Sequence, residues 1–137
     1  MPAWVVLIVF PRWERRRQLV QATVLLYCAL YAALMWNDVA RGGVGGLKKT
    51  MEQFSTLSGV RSLLASQAAT LPAWFHYVAF DLFVGQNILE ENLRTNALPQ
   101  PMVAVVLVFS MLFGPTGLLL YFLLSRANAE ISKQKTR

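Results

Sequence analysis

The chain has 137 residues, enough for one domain. Hydrophobic residues make up 55% and charged residues only 15%, whereas a soluble domain carries about a quarter charged residues. Thirteen Lys and Arg against seven Asp and Glu give a net charge of +6. The basic residues flank apolar runs, where they meet lipid headgroups, and this excludes a nucleic-acid partner.

Leu19–Trp36 and Met102–Leu124 hold no charged residue. A helix of about 20 apolar residues crosses a hydrocarbon core about 30 Å thick. Lipid offers backbone amides no partners, so spanning segments are helices or closed barrels. These runs are too continuous for barrel strands, whose lumen-facing positions alternate polar. The sequence therefore predicts an all-α integral membrane helical bundle, a single membrane domain over 1–137. It has three full spans, a short N-terminal helix and an amphipathic surface helix.

In chain order, the short helix at 3–10 comes first. Its eight residues make about 12 Å of helix, less than half a bilayer. It has no basic start and no small-residue cleavage site, so it does not read as a signal peptide. It is either half-inserted or the end of a longer helix. Pro11 and the cluster Arg12, Arg15, Arg16 and Arg17 close it, with Trp13 among them as interfacial aromatics lie. The first span is 19–36. Gly42-Gly-Val-Gly-Gly46 reads as a turn or linker. The connection 47–70 is read as a surface helix, with Phe54, Leu57, Val60 and Leu64 on one face and Lys48, Lys49 and Arg61 opposite. Pro72 opens the second span, 73–89, since proline suits a first helical turn. The third span is 102–124, and a polar tail, 125–137, frays into solvent.

With three crossings, Pro11–Arg17 and Gln86–Pro101 share one side with five Lys/Arg, and Asn37–Pro72 and the tail share the other with eight. The positive-inside rule favours the second side as cytoplasmic or stromal, while the cluster at Arg12–Arg17 argues the other way.

The chain has one cysteine, Cys28, within an apolar helix. It reads as a small core residue, and no metal spacing accompanies it. Asp81 is the most informative residue. A carboxylate near the middle of a span needs a partner, water or a proton. It is either a proton donor or ligand contact in a cavity, or a polar staple between helices. His76, five residues earlier, lies about 140° away around the helix, so the two do not share a narrow face. Tyr77 is the nearer neighbour of Asp81, at i−4. His76 is a pigment ligand, an interfacial histidine or an ordinary polar contact. Counted inward from Leu89 and Met102, Asp81 and Ser110 both lie about 12 Å deep, and His76 and Pro115 about 20 Å. Ser110 and Gly114 form a small-xxx-small step that admits a neighbouring helix. Pro115 leaves the carbonyl of Met111 without its helical donor, or simply kinks the helix.

Trp74-Phe-His76-Tyr77-Val-Ala-Phe80-Asp81-Leu82-Phe83-Val84-Gly85 resembles the signature of the abscisic-acid-deficient-like family of membrane proteins. Phe113-Gly114-Pro115-Thr-Gly117-Leu-Leu-Leu-Tyr121 and the N-terminal Pro2-Ala-Trp4 through Pro11-Arg12-Trp13 are similar too. Plant members are linked to neoxanthin formation from violaxanthin in plastid membranes. Where members commonly have Arg-Trp after the Asp-Leu-Phe-Val-Gly run, this chain has Gln86-Asn87, and Glu91 stands for a later aspartate. The lost arginine argues against catalysis. The family's first helix also begins earlier than this chain does.

Two function classes follow from the resemblance. The first is an enzyme, or enzyme factor, that isomerises a xanthophyll epoxide. It would use Asp81 as acid and His76 or Glu91 as base, each within hydrogen-bond reach of the substrate. The second is a non-catalytic subunit of a larger photosynthetic or respiratory membrane complex, partnered with other membrane-protein subunits. A carotenoid or chlorophyll would then sit between aromatic helices, against His76, Trp74, Tyr77 and Ser110. The resemblance implies a plastid membrane, envelope or thylakoid, with a mitochondrial inner or a bacterial membrane as alternatives.

Overall fold

The computed structural model describes residues 2–41 and 51–135. Among these, all regular structure is helical: α1 (Pro2–Val9), α2 (Arg16–Ala40), α3 (Leu57–Leu64), α4 (Gln67–Thr95), α5 (Gln100–Phe113) and α6 (Pro115–Lys135), with a further helical turn at 51–54. Pro11 has no N–H to extend α1. The chain instead turns through bonds from Trp13 N–H to the Phe10 carbonyl and from Arg16 N–H to the Trp13 carbonyl. There α2 begins. Of the described helices, α2 is long and apolar enough, over Arg16–Asp38, to cross a membrane.

Two expected boundaries move. α4 starts before Pro72, which lies inside the helix. The Ser66 hydroxyl accepts from Ala69 N–H at 3.2 Å, an N-cap bond that starts the helix one turn early. The tail does not fray at Ser125 but continues as helix to Lys135. Asn128 helps hold it, its amide donating to the Ala97 carbonyl at 2.7 Å.

Two expected elements are corrected outright. The stretch 102–124 is not one span. Gly114 takes φ +46° and ψ −101°, the helix breaks, and the chain reverses. A methyl on Gly117 would lie within 2.5 Å of the Ser110 Cα, while Asn128 reaches Ala97. α5 and α6 are thus an antiparallel hairpin. The surface helix expected over 47–70 is also broken. Positions 47–50 lie outside the described residues. At Thr56 the backbone is extended, and its hydroxyl caps Gly59 N–H at 3.1 Å. The helical register restarts there, so Phe54 and Leu57 do not join a continuous apolar face, and both are exposed.

One compact unit comprises Met1–Val24 and Phe80–Arg137. Val103, Val106, Leu107 and Ser110 form a buried stripe on α5, the i, i+3, i+4, i+7 pattern of a helix face. α1 and α6 both pack on α5. Leu7, Val20, Leu82, Leu89 and Leu107 are fully buried in the shared core. Each such side chain stabilises by about 1.5–3 kcal/mol when withdrawn from water. α1 lies close to α4 because position 85 is glycine: a methyl there would come within 2.7 Å of the Trp4 ring. The α4–α5 turn is clamped by Asn92, whose amide donates to the Leu98 carbonyl at 3.0 Å and accepts from Leu98 N–H at 2.8 Å. Asn96 takes the left-handed φ of 51° in that turn, which asparagine tolerates better than most residues.

The second unit is Leu25–Ala79. Here the rings of Tyr27 and Phe75 meet at a tilt with centroids 5.7 Å apart, and those of Tyr31 and His76 likewise at 5.6 Å. Repeated i, i+4 steps on α2 and adjacent positions on α4 set these two pairs side by side. Leu63 of α3 is buried in this unit, while Leu57 and Leu64 are exposed.

Candidate functional site

Asp81 lies on α4 where the hairpin turns. A methyl on Gly114 would meet Asp81 Oδ1 at 2.7 Å, so the carboxylate rests against the Gly114 backbone. Asp81 is half-buried, and no hydrogen bond or ion pair joins it to a described residue. Counting from Leu89 and Met102 pairs it with Ser110, one turn short of where it lies. α4 in fact runs on to Thr95 and α5 begins at Gln100. Asp81 is 14 residues before the one and Gly114 is 14 after the other, by subtraction from those ends.

This carboxylate also sits at the start of α6. The first N–H groups of a helix lack internal partners and carry partial positive charge, so an anion there stabilises by about 0.3–2 kcal/mol depending on burial. The arrangement places the Asp81 carboxylate between α4 and the turn of the hairpin. It is also the carboxylate of α4 farthest from the helix's charged end, Glu90–Arg94.

The other expected site residues are distributed differently. Ser110 is fully buried and its Oγ is wedged against Gly117. As a pigment contact it is corrected: the fold-back of α6 covers it, and no side of it is open to a ligand. Glu91 is ten residues from Asp81, about 15 Å along the helix. Both its oxygens are engaged by Arg94, at 2.8 and 2.9 Å. The structure does not bring Glu91 and Asp81 together. His76 meets Tyr31 at a tilt and Tyr77 edge-on at 5.9 Å. Trp74 and Tyr77 are exposed.

Sequence reasoning missed a polar group near the start of α2. Gln86, at the position where the resemblance leads one to expect arginine, is buried and donates to Glu90 Oε1 at 2.9 Å. Arg17 Nε approaches the same oxygen at 3.7 Å. Arg16, buried beside them, donates to the Pro11 carbonyl. The signal available was the pairing of a basic cluster with the only run of two glutamates. Among the described residues no group of three His, Cys, Asp or Glu side chains is placed to hold a metal.

The family model described as ABA DEFICIENT 4-like matches residues 1–121, most of the chain and both segments that meet at Asp81 and Gly114. The chain belongs to the ABA DEFICIENT 4-like family. Within this family a curated relative is Protein ABA DEFICIENT 4, chloroplastic, of Arabidopsis thaliana. It is 21% identical over 124 residues, which are 89% of this chain and 54% of that protein. The chain thus spans about half the length of the curated relative it matches. No solved structure matches this family member. The family match ends at Tyr121, so the polar half of α6 lies beyond it.

Proposed function

We propose that this family member is an integral membrane protein of xanthophyll metabolism, in a plastid or related photosynthetic membrane, with Asp81 as its proton donor. The observation that carries this reading is the meeting of the two family segments at Asp81 and Gly114. It sets one carboxylate, without a described partner, against a helix break in apolar surroundings. Membership of a family named for ABA DEFICIENT 4, and a chloroplastic relative, support the pathway and the compartment. The nearly unburied apolar surface of Arg16–Asp38 supports insertion in lipid. The rings of Tyr27, Tyr31, Phe75 and His76 suit contact with a flat conjugated chain. The chemistry would be an isomerisation. Asp81 protonates an epoxide oxygen as its C–O bond breaks, water or a basic side chain takes a proton from the adjacent vinylic carbon to form the allene, and that proton is returned to Asp81, so the reaction is a net isomerisation.

A second reading is a non-catalytic carotenoid-binding subunit. The separation of Glu91 from Asp81, and its engagement by Arg94, favour it, because the proposed acid then lacks that base. Purified protein should be tested for bound carotenoid and for turnover of an epoxy-xanthophyll. If Asp81 is the acid, Asp81→Asn binds pigment normally and loses turnover by about 100-fold or more, in line with the loss of a general acid. Pigment binding with no turnover in the unmodified protein supports the subunit reading. Absence of both refutes the xanthophyll assignment.

A further inference from the structure

The α5–α6 hairpin is shorter than a bilayer's hydrocarbon core is thick. α5 has 14 residues, about 21 Å of helix, against a hydrocarbon core of about 30 Å. It then reverses at Gly114. Its open end is polar and charged: Glu91 and Arg94 precede it, Arg126 and Glu130 follow it, and Asn128 bonds to Ala97. Its closed end is Leu112, Phe113, Pro115 and Thr116, all exposed, without a charge. Between the two ends, Val105, Leu119, Phe122 and Leu123 are exposed apolar side chains on the outer face.

The neighbouring elements repeat that polarity. α1 is also short, and its apolar run ends at Arg12, Arg15, Arg16 and Arg17. The ion pair of Arg17 with Glu90 sets this cluster beside the charged end of α4. Trp13, exposed among the arginines, is an aromatic of the kind that collects at the headgroup level. Among the described residues of this unit, the charges other than Asp81 therefore gather at one end. Non-helical backbone inside a membrane must be covered by protein. Gly114 is buried, and Asp81 is what lies on it.

We propose that α5 and α6 form a re-entrant hairpin that enters the bilayer part-way and returns to the same side, its outer face covered by lipid acyl chains. The inference rests on the membrane reading above. It reverses the topology expected from one straight span, because Arg12–Arg17, the α4–α5 turn and the polar half of α6 all lie on one side. Asp81 then marks the depth of the tip.

The test uses the full chain in the inner membrane of a bacterial host, with Cys28→Ser as background. Single substitutions Arg12→Cys, Arg94→Cys and Ala129→Cys, all at exposed positions, are probed with a membrane-impermeant maleimide before and after lysis. All three should react from the same side. Labelling of positions 94 and 129 from opposite sides overturns the hairpin and leaves the membrane reading standing. Release of the protein by alkaline carbonate overturns both. Independently, the pair Ala97→Cys and Asn128→Cys should be joined by a short bismaleimide in detergent, and failure to join contradicts the hairpin whatever the membrane arrangement. A spin label at Phe122→Cys should collide freely with oxygen and poorly with a water-soluble nickel chelate. A label shielded from both indicates a protein covering that face and overturns the lipid assignment.

Discussion

Replacing Gly114 by alanine should be among the most damaging single-methyl changes in this protein. Two costs add. The backbone at φ +46° and ψ −101° is one that side-chain-bearing residues rarely adopt, and holding one there costs of order 1–3 kcal/mol. The new methyl would also lie 2.7 Å from Asp81 Oδ1. Relieving such a clash by moving packed helices costs about 1–3 kcal/mol more. The expected loss is about 2–6 kcal/mol, read as a fall in the denaturant midpoint of purified protein in mild detergent. The two parts are separable. In an Asp81→Ala background the carboxylate is gone, so Gly114→Ala should cost only the backbone share, about 1–3 kcal/mol. The coupling between the two positions is then about 1–3 kcal/mol from a double-mutant cycle. Equal costs in both backgrounds would show that the carboxylate does not touch Gly114. A Gly114→Ala protein as stable as the parent would refute the reversal itself, since a straight helix accepts alanine better than glycine.

Other perturbations probe the rest of the unit. Leu107→Ala, at a fully buried position, should cost about 2–5 kcal/mol by the same midpoint measurement. Asn92→Leu removes both bonds to Leu98 and should cost about 2–6 kcal/mol, at about 1–3 kcal/mol for each buried group left unpaired; no change would mean the turn is held otherwise. Gly85→Ala should destabilise because of the Trp4 ring at 2.7 Å, and Trp4→Leu should restore part of the loss in the double variant. Arg17→Ala breaks an exposed ion pair to Glu90 and should change stability by less than about 1 kcal/mol.

The sequence by itself determined a great deal here. Uncharged runs such as Leu19–Trp36 can only be satisfied as helix or barrel in lipid, and their continuity selects helix. The all-α class and the long second helix were therefore legible from composition and spacing. The family was legible from two short segments. What the sequence could not supply was direction. Glycine followed by proline breaks a helix, but whether the chain then kinks or reverses depends on what receives the returning segment. Here it is received because position 117 is also glycine and lets α6 close onto Ser110, and because Asn128 finds the Ala97 carbonyl. Those contacts join residues 7 and 31 positions apart, by subtraction of their numbers, and no periodicity records them. The true ends of α4 and α5, at Thr95 and Gln100, moved Asp81 from the level of Ser110 to that of Gly114, and the reversal buried Ser110 under α6. Helix ends acted likewise: a cap at Ser66 set the start of α4 ahead of Pro72, and a cap at Thr56 divided the connection. Local chemistry chose the helices, and packing between them decided where each one stopped, because a backbone break is tolerated only where a neighbouring surface covers it.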